Sequence, residues 1–302
     1  MTFLPPYLEE GDTVLIISTA RARSEPAIAP AIEILNAWGL RVEVGRNAYK
    51  TYHQFAGTDE ERTQDLQWAI NHPTAKAILL SGGGYGSLRI IDAANFLPIL
   101  KHPKWVVGYS DTTVLHSRLT KMGIACIHGT MAFQFGKNEH ATHSVKKLLF
   151  GEGSDYDIKP HALNRPGITQ AEVVGGNLSL LYALSGSRDE INTKNKILFI
   201  EDLDEQLYHI DRMMIHLKRS NKLTQLAALV VGGMTEMKDN SVPFGMTAQE
   251  IIWDAVKEYG YPVCFEFPAG HIETNIALYL GCKANLQVSP LGVKFSYLNY
   301  GL

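Results

Sequence analysis

The sequence predicts an α/β protein whose N-terminal part is a parallel sheet wound with helices. Three observations carry this. Asp12–Ser18, Lys76–Leu80 and Trp105–Val107 are near-continuous apolar runs, the pattern of strands buried on both faces. Segments with helical periodicity alternate with these runs at βαβ spacing. Small polar or glycine-rich loops follow the runs at Ser18-Thr19-Ala20, Gly82–Gly86 and Gly108–Asp111, and parallel sheets bind ligands beyond such strand ends.

Taken in order, the strand at Asp12–Ser18 is followed by a helix over Pro30–Trp38, with Ala31, Ile32 and Leu35 on its apolar face and Gly39 as its stop. Arg41–Val44 reads as a second strand, and the loop after it is unusually aromatic (Tyr49, Tyr52, His53, Phe55). Thr58 with Glu61 spells a capping box, so a helix opens there and runs to the Asn71-His72-Pro73 stop. Lys76–Leu80 leads through Gly82–Gly86 into a helix carrying Leu88, Ile91 and Ala94. Trp105–Val107 then enters a tight turn at Gly108-Tyr109-Ser110-Asp111, from which a helix starts without a linker, and Ile124–Ile127 is the next strand.

Gly151–Gly167, rich in Gly, Pro, Asp and Asn and without periodicity, is the best boundary in the chain. It suggests domains over 1–150 and 170–302 with a linker over 151–169. Beyond it come a strand at Gln170–Val174, a tight turn at Gly175-Gly176-Asn177 and a short helix over Leu178–Leu184. Lys196–Ile200 is a buried strand ending in Glu201-Asp202, and Glu205–Arg219 is an amphipathic helix. Leu226–Val231 is a strand, Thr247–Tyr259 a helix, Pro262–Phe267 leads to Gly270-His271, and Ala277–Leu298 is strand-like.

Composition narrows the function classes. The 302 residues allow two domains, and a formal net charge of −3 argues against a nucleic-acid partner, which would need a basic face. There is no apolar run of membrane-spanning length, so no membrane partner is expected. The start, MTFLPPYLEEGD, has neither a basic n-region nor an apolar h-region, and a cytoplasmic protein is expected. Cys126, Cys264 and Cys282 are widely spaced and fit small core residues in a reducing compartment. No Cys/His cluster, His-Glu-x-x-His or calcium-loop spacing occurs, so neither metal nor cofactor is expected.

The turn at Gly108–Asp111 has the mechanics of a nucleophile elbow, with Ser110 held out at its tip and the Asp111 N–H facing the same point. Ser-Asp-Thr-Thr ahead of an apolar helix also reads as an ordinary N-cap cluster. A serine nucleophile needs a base, an orienting carboxylate and oxyanion donors. His271 and His128 both stand after strands where a loop can present them, and position alone does not choose between them. Glu201, beside an apolar strand, is the carboxylate that helix-end electrostatics explains least well. Gly83 or Gly84 can add a second oxyanion donor, although Gly82–Gly86 also has the look of a phosphate cradle.

These pieces together resemble the LD-carboxypeptidases, serine peptidases that include muramoyltetrapeptide carboxypeptidase. The resemblance runs over nearly the whole chain, through Gly83-Gly84-Tyr85-Gly86, Gly108-Tyr109-Ser110-Asp111, Gly175-Gly176-Asn177-Leu178-Ser179, Leu198-Phe199-Ile200-Glu201-Asp202, Tyr208-His209-Ile210-Asp211-Arg212 and Gly270-His271. It implies a flavodoxin-like N-terminal domain, a smaller C-terminal α/β domain, a site between them, and a homodimer. It implies a Ser110–His271–Glu201 triad, oxyanion donors at Asp111 and at Gly83 or Gly84, and substrate contacts at Tyr85 and Asn177. The implied reaction releases the terminal D-alanine from murein tetrapeptides. Gly82 stands where the family often has Arg, Asp204 where Gly is common, and Ile272-Glu273-Thr274 replaces a smaller, more polar run. Two alternatives stand beside this reading. One is a microcin-immunity-type peptidase acting on peptide–nucleotide antibiotics, for which the chain is short; the other is a flavodoxin-like binder of a small anion with no chemistry.

Overall fold

The structure, a computed structural model, describes residues 2–153 and 155–298. Its first sheet is built from β1 (Thr13–Ile17), β2 (Arg41–Val44), β3 (Ala77–Leu80), β4 (Trp105–Gly108) and β5 (Cys126–His128), in the order β2-β1-β3-β4-β5. All four pairings among these strands are parallel, which is the flavodoxin-like order. Successive residues of a strand point to opposite faces, and each face has its own core. Leu15, Ile17, Ile78, Leu80 and Val106 pack with α2 (Asp59–Asn71) and α4 (Thr113–Lys121). Val14, Ile16, Leu79, Trp105 and Val107 pack with α1 (Glu25–Ala37) and α5 (Glu139–Leu149).

The second sheet holds β6 (Asp155–Ile158), β7 (Gly167–Asn177), β8 (Ile197–Leu203), β9 (Ala228–Thr235), β10 (Val263–Cys264), β12 (Lys283–Ser289) and β13 (Gly292–Tyr297). Its order is β10-β9-β8-β7-β12-β13-β6, parallel from β7 to β10 and antiparallel beyond. Helices α6 (Leu178–Ala183), α7 (Leu207–Arg219) and α8 (Ala248–Val256) cover the parallel part. β6 lies inside the stretch 151–169. β11 (Leu278–Leu280) returns to the first sheet and pairs antiparallel with β5. The chain therefore crosses between the sheets more than once.

Several local expectations change. α1 starts at Glu25, ahead of the predicted Pro30, because Pro26 sits in its first turn, where a missing N–H costs nothing; Pro30 is carried inside the helix. The helix predicted through Leu88, Ile91 and Ala94 is the single turn α3 (Ser87–Ile90), and downstream the Asn95 side chain accepts from the Leu97 N–H, closing a local turn instead. Gly175-Gly176 is not a turn. Both glycines lie within β7, paired with Phe199 and Ile200, and a Cβ on Gly175 would overlap the Phe199 carbonyl. β8 continues through Leu203, so Glu201 and Asp202 are strand residues rather than residues after a strand.

The helix after Ser110 is fastened to the second sheet's side of the molecule. Asn177 N–H donates to Thr113 Oγ1 (3.0 Å), and Arg118 makes a two-pronged pair with Asp189, Nη2 to Oδ2 at 2.6 Å and Nε to Oδ1. Arg118 also reaches Asp92 at 3.0 Å. Asp189 is buried, so removing the guanidinium strands a carboxylate. Arg118→Ala is expected to cost about 3 kcal/mol in urea unfolding, and Arg118→Ala/Asp189→Ala to cost less than the sum of the single changes.

Candidate active site

β1, β3 and β4 end side by side, and the loops beyond them form one wall of a cleft of about 570 Å³. Arg21, Arg23, Gly83, Gly84, Tyr109 and Ser110 come from these loops; Asn177, Ser179, Asp202, Asp204, Glu205 and His271 line the facing wall.

Ser110 is held in the left-handed region at φ +60°, in a short 3₁₀ turn over Ser110–Thr112 closed by the Thr112 N–H to Tyr109 O bond (3.1 Å). A non-glycine residue there is strained by about 1–3 kcal/mol. The capping alternative for this stretch is overturned: no side chain of the cluster caps α4, whose N-cap Thr112 makes no side-chain cap bond. The buried Asp111 caps a different helix, its Oδ2 accepting from the Ser87 N–H of α3 at 2.8 Å. That bond ties the serine turn to the Gly82–Gly86 loop. It also occupies the Ser87 N–H with an internal carboxylate, so that donor of the helix start is not open to a phosphate. Burial raises the Asp111 pKa, and hydrogen bonds from Ser87 and Gly86 and the Arg62 charge oppose the rise. A Cβ on Gly83 would lie 3.3 Å from Ser110 Oγ, so the glycine run passes directly against the serine.

The two histidines left open by position are separated by geometry. His128 is fully buried, and among the described residues neither ring nitrogen has a hydrogen-bond partner. Burial, with His116 and His271 nearby, lowers its pKa well below the usual value. It packs against Tyr109 (5.8 Å between rings) and Phe199 (4.9 Å) in the core behind the cleft. His271 also packs against Tyr109, 4.8 Å between rings, but lines the cleft.

His271 Nδ1 is 2.6 Å from Glu201 Oε2, which also accepts the His271 backbone N–H at 3.1 Å. An ionised carboxylate only accepts, so the proton sits on Nδ1 and Nε2 is the nitrogen left for proton transfer. Gly270, at φ +105°, is what lets the loop come so close, because a Cβ there would strike the Glu201 side chain at 2.6 Å. Glu201 is completely buried, and its Oε1 has no partner among the described residues, which leaves its charge to His271. Burial alone would lower the His271 pKa; the Glu201 charge and hydrogen bond, helped by Asp202 and Glu236, outweigh it and the net shift is upward. Next to Glu201, Asp202 is pushed up to about 7, first by burial and then by the Glu201 charge.

Ser110 and His271 thus meet in one cleft with Glu201 behind the imidazole, and Gly83, Gly84 and Asp111 surround the serine. The two residues expected to touch substrate differ. Asn177 lines the cleft, but its amide is already used: Nδ2 donates to Asp202 Oδ1 (2.8 Å) and Oδ1 accepts from Ser179 Oγ (2.7 Å). Tyr85 is not among the residues lining the cleft, and its ring sits 6.1 Å from Phe55. Arg21 and Arg23 line it and were missed. Their signal was two arginines, Arg-Ala-Arg, directly after a strand's carboxyl end.

Comparison with known proteins places the chain in a family. The family model described as the LD-carboxypeptidase N-terminal domain matches residues 14–129, and the corresponding C-terminal domain matches residues 170–286. A probable murein peptide carboxypeptidase of Bacillus subtilis is 34% identical over 300 residues, covering 96% of this chain and 93% of that protein. The murein tetrapeptide carboxypeptidase of Pseudomonas aeruginosa is 25% identical, covering 92% of this chain and 94% of that protein. The crystal structure of muramoyltetrapeptide carboxypeptidase from Oxalobacter formigenes superposes with a TM-score of 0.88 at 25% identity, over 96% of this chain and all of that one. The microcin C7 self-immunity protein MccF shares the fold, with a TM-score of 0.87 at 21% identity over 99% of both chains. With both halves of the chain matched and a relative aligned over nearly its full length, the chain belongs to the LD-carboxypeptidase family and is a serine-type carboxypeptidase.

Proposed function

We propose that this enzyme cleaves the LD-peptide bond that releases the terminal D-alanine from murein tetrapeptides, through a Ser110–His271–Glu201 triad and an acyl-enzyme. The observation that carries the reading is the 2.6 Å contact between a buried Glu201 and His271, opening onto the same cleft as a strained Ser110. His271 Nε2 takes the Ser110 hydroxyl proton as Oγ attacks the scissile carbonyl. The oxyanion forms against the backbone N–H of Asp111 and of a glycine in Gly83-Gly84. His271 then hands the proton to the departing amine, and water, deprotonated by the same imidazole, resolves the ester. Glu201 holds the imidazole in the tautomer that both steps need. The proposed setting is the cytoplasm; among the described residues no helix is long and apolar enough to cross a membrane.

The test is incubation with a murein tetrapeptide followed by mass spectrometry, where loss of one alanine is expected. An intact tetrapeptide, alongside hydrolysis of an aminoacyl-nucleotide analogue, would replace this reading with the antibiotic-directed one. The upward shift of the His271 pKa gives a second expectation. The imidazole must be neutral to accept the serine proton, so kcat/KM rises with pH along a limb that lies above the ordinary imidazole value of 6.5.

A further inference from the structure

A carboxypeptidase must recognise the free carboxylate at the end of its peptide, and nothing in the triad does so. The cleft contains two guanidinium groups, Arg21 and Arg23, and among the described residues neither forms an ion pair. The acidic residues of the same cleft are otherwise engaged. Asp204 pairs with Lys238, Glu205 Oε2 sits 2.6 Å from His209 Nδ1, and Asp202 is bonded to Asn177 and Ser179. Two unpaired cations in one cleft repel each other, and Arg23 bears both partial burial and the field of Arg21, each of which disfavours its charge. An arriving anion relieves that cost.

Their placement relative to the nucleophile is fixed by three consecutive glycines. A Cβ on Gly82 would meet Arg23 Nε at 2.5 Å, one on Gly83 would meet Ser110 Oγ at 3.3 Å, and one on Gly84 would meet Arg21 Cδ at 2.5 Å. Both arginine stems and the serine therefore lie against one three-residue glycine run. The arginine segment is anchored as well. Arg21 N–H donates to Gly83 O (3.3 Å) and Ala22 N–H to Gln54 O (3.0 Å). The Arg23 guanidinium lies over the Phe133 ring at 4.3 Å, and its buried Nε has no hydrogen-bond partner among the described residues. Gly82, one of the chain's departures from the family pattern, supplies the space that Arg23 occupies.

We propose that Arg23, seated over Gly82, receives the C-terminal carboxylate of the peptide. In a peptide the terminal carboxylate is one residue from the scissile carbonyl, and Arg23 lies against the glycine next to the one that faces Ser110, in the same cleft. This rests on the peptidase reading and makes the enzyme an exopeptidase by charge recognition. The test uses the Ser110→Ala protein, which binds without turnover, titrated calorimetrically with a murein tetrapeptide ending in a free acid and with its C-terminal amide. Charge-assisted hydrogen bonds predict that the acid binds about 10- to 150-fold more tightly. Arg23→Gln on that background should bring the two affinities within about threefold of each other while leaving amide binding nearly unchanged. Gly82→Ala, which displaces Arg23 without removing it, should act in the same direction. Equal affinity for acid and amide before Arg23 is changed, or a preference that survives Arg23→Gln in a protein of unchanged melting temperature, overturns the inference. Failure of the peptidase reading is seen separately, as no alanine release by the wild-type enzyme.

Discussion

Ser110→Ala is expected to lower kcat for D-alanine release by about 10⁴- to 10⁶-fold, with the fold and the melting temperature intact. The size follows from what is removed. Without the hydroxyl there is no acyl-enzyme, and the oxyanion donors and peptide binding alone are left to assist water. The fold survives because the strained turn is set by its surroundings. Thr112 N–H closes it onto Tyr109 O, the Asp111 carboxylate ties it to α3, and Thr113 Oγ1 ties the following helix to Asn177. The same geometry yields a sharper form of the prediction. Since φ at Ser110 is +60°, Ser110→Gly relieves the backbone and should stabilise the protein by about 1 kcal/mol while being as inactive as the alanine variant. A glycine variant that unfolds more easily than wild type would show that the hydroxyl has a structural role the geometry does not indicate.

Glu201→Gln is expected to cost about 10³- to 10⁴-fold in kcat and to move the acid limb of kcat/KM to lower pH. Among the described residues Glu201 is the only carboxylate bonded to the His271 ring, and it is the main opponent of burial, which by itself depresses the imidazole pKa. An amide in its place removes the charge, so burial prevails and the pKa falls. It also offers an N–H₂ group that can donate to Nδ1 and so favour the wrong tautomer, with the proton on Nε2. The two effects read out separately: the tautomer in kcat, the charge in the position of the limb. A variant with reduced rate but an unmoved limb would mean that Asp202 and Glu236, not Glu201, set the charge state of His271.

Much of the N-terminal sheet was legible because β1, β3 and β4 are short apolar runs whose ends are punctuated by small residues. Ser110 was legible for the same reason, as a polar residue at the tip of a turn after such a run. What the sequence concealed depends on pairing across space. The choice between His271 and His128 rests on which imidazole has a carboxylate beside it, and Glu201 comes from a strand 70 residues away. The role of Gly175-Gly176 was misread because two adjacent glycines signal a turn as readily as a close approach between strands, and only the Phe199 carbonyl distinguishes them. The Arg21–Arg23 pair carries no motif at all, and its importance comes from the acids that do not pair with it. The return of β11 to the first sheet was equally hidden, since three residues of alternating pattern do not name their partner.

The central claim is that Ser110 from the first sheet and His271 from the second region act as one unit across the cleft. Groups that act together are not additive. The direct measurement is the residual rate of D-alanine release by the Ser110→Ala/His271→Ala double variant, set beside the two single variants. A single unit predicts that the double variant is no slower than the slower single, within about threefold. A double variant whose loss is the product of the single losses would contradict the account, because each residue would then be contributing on its own.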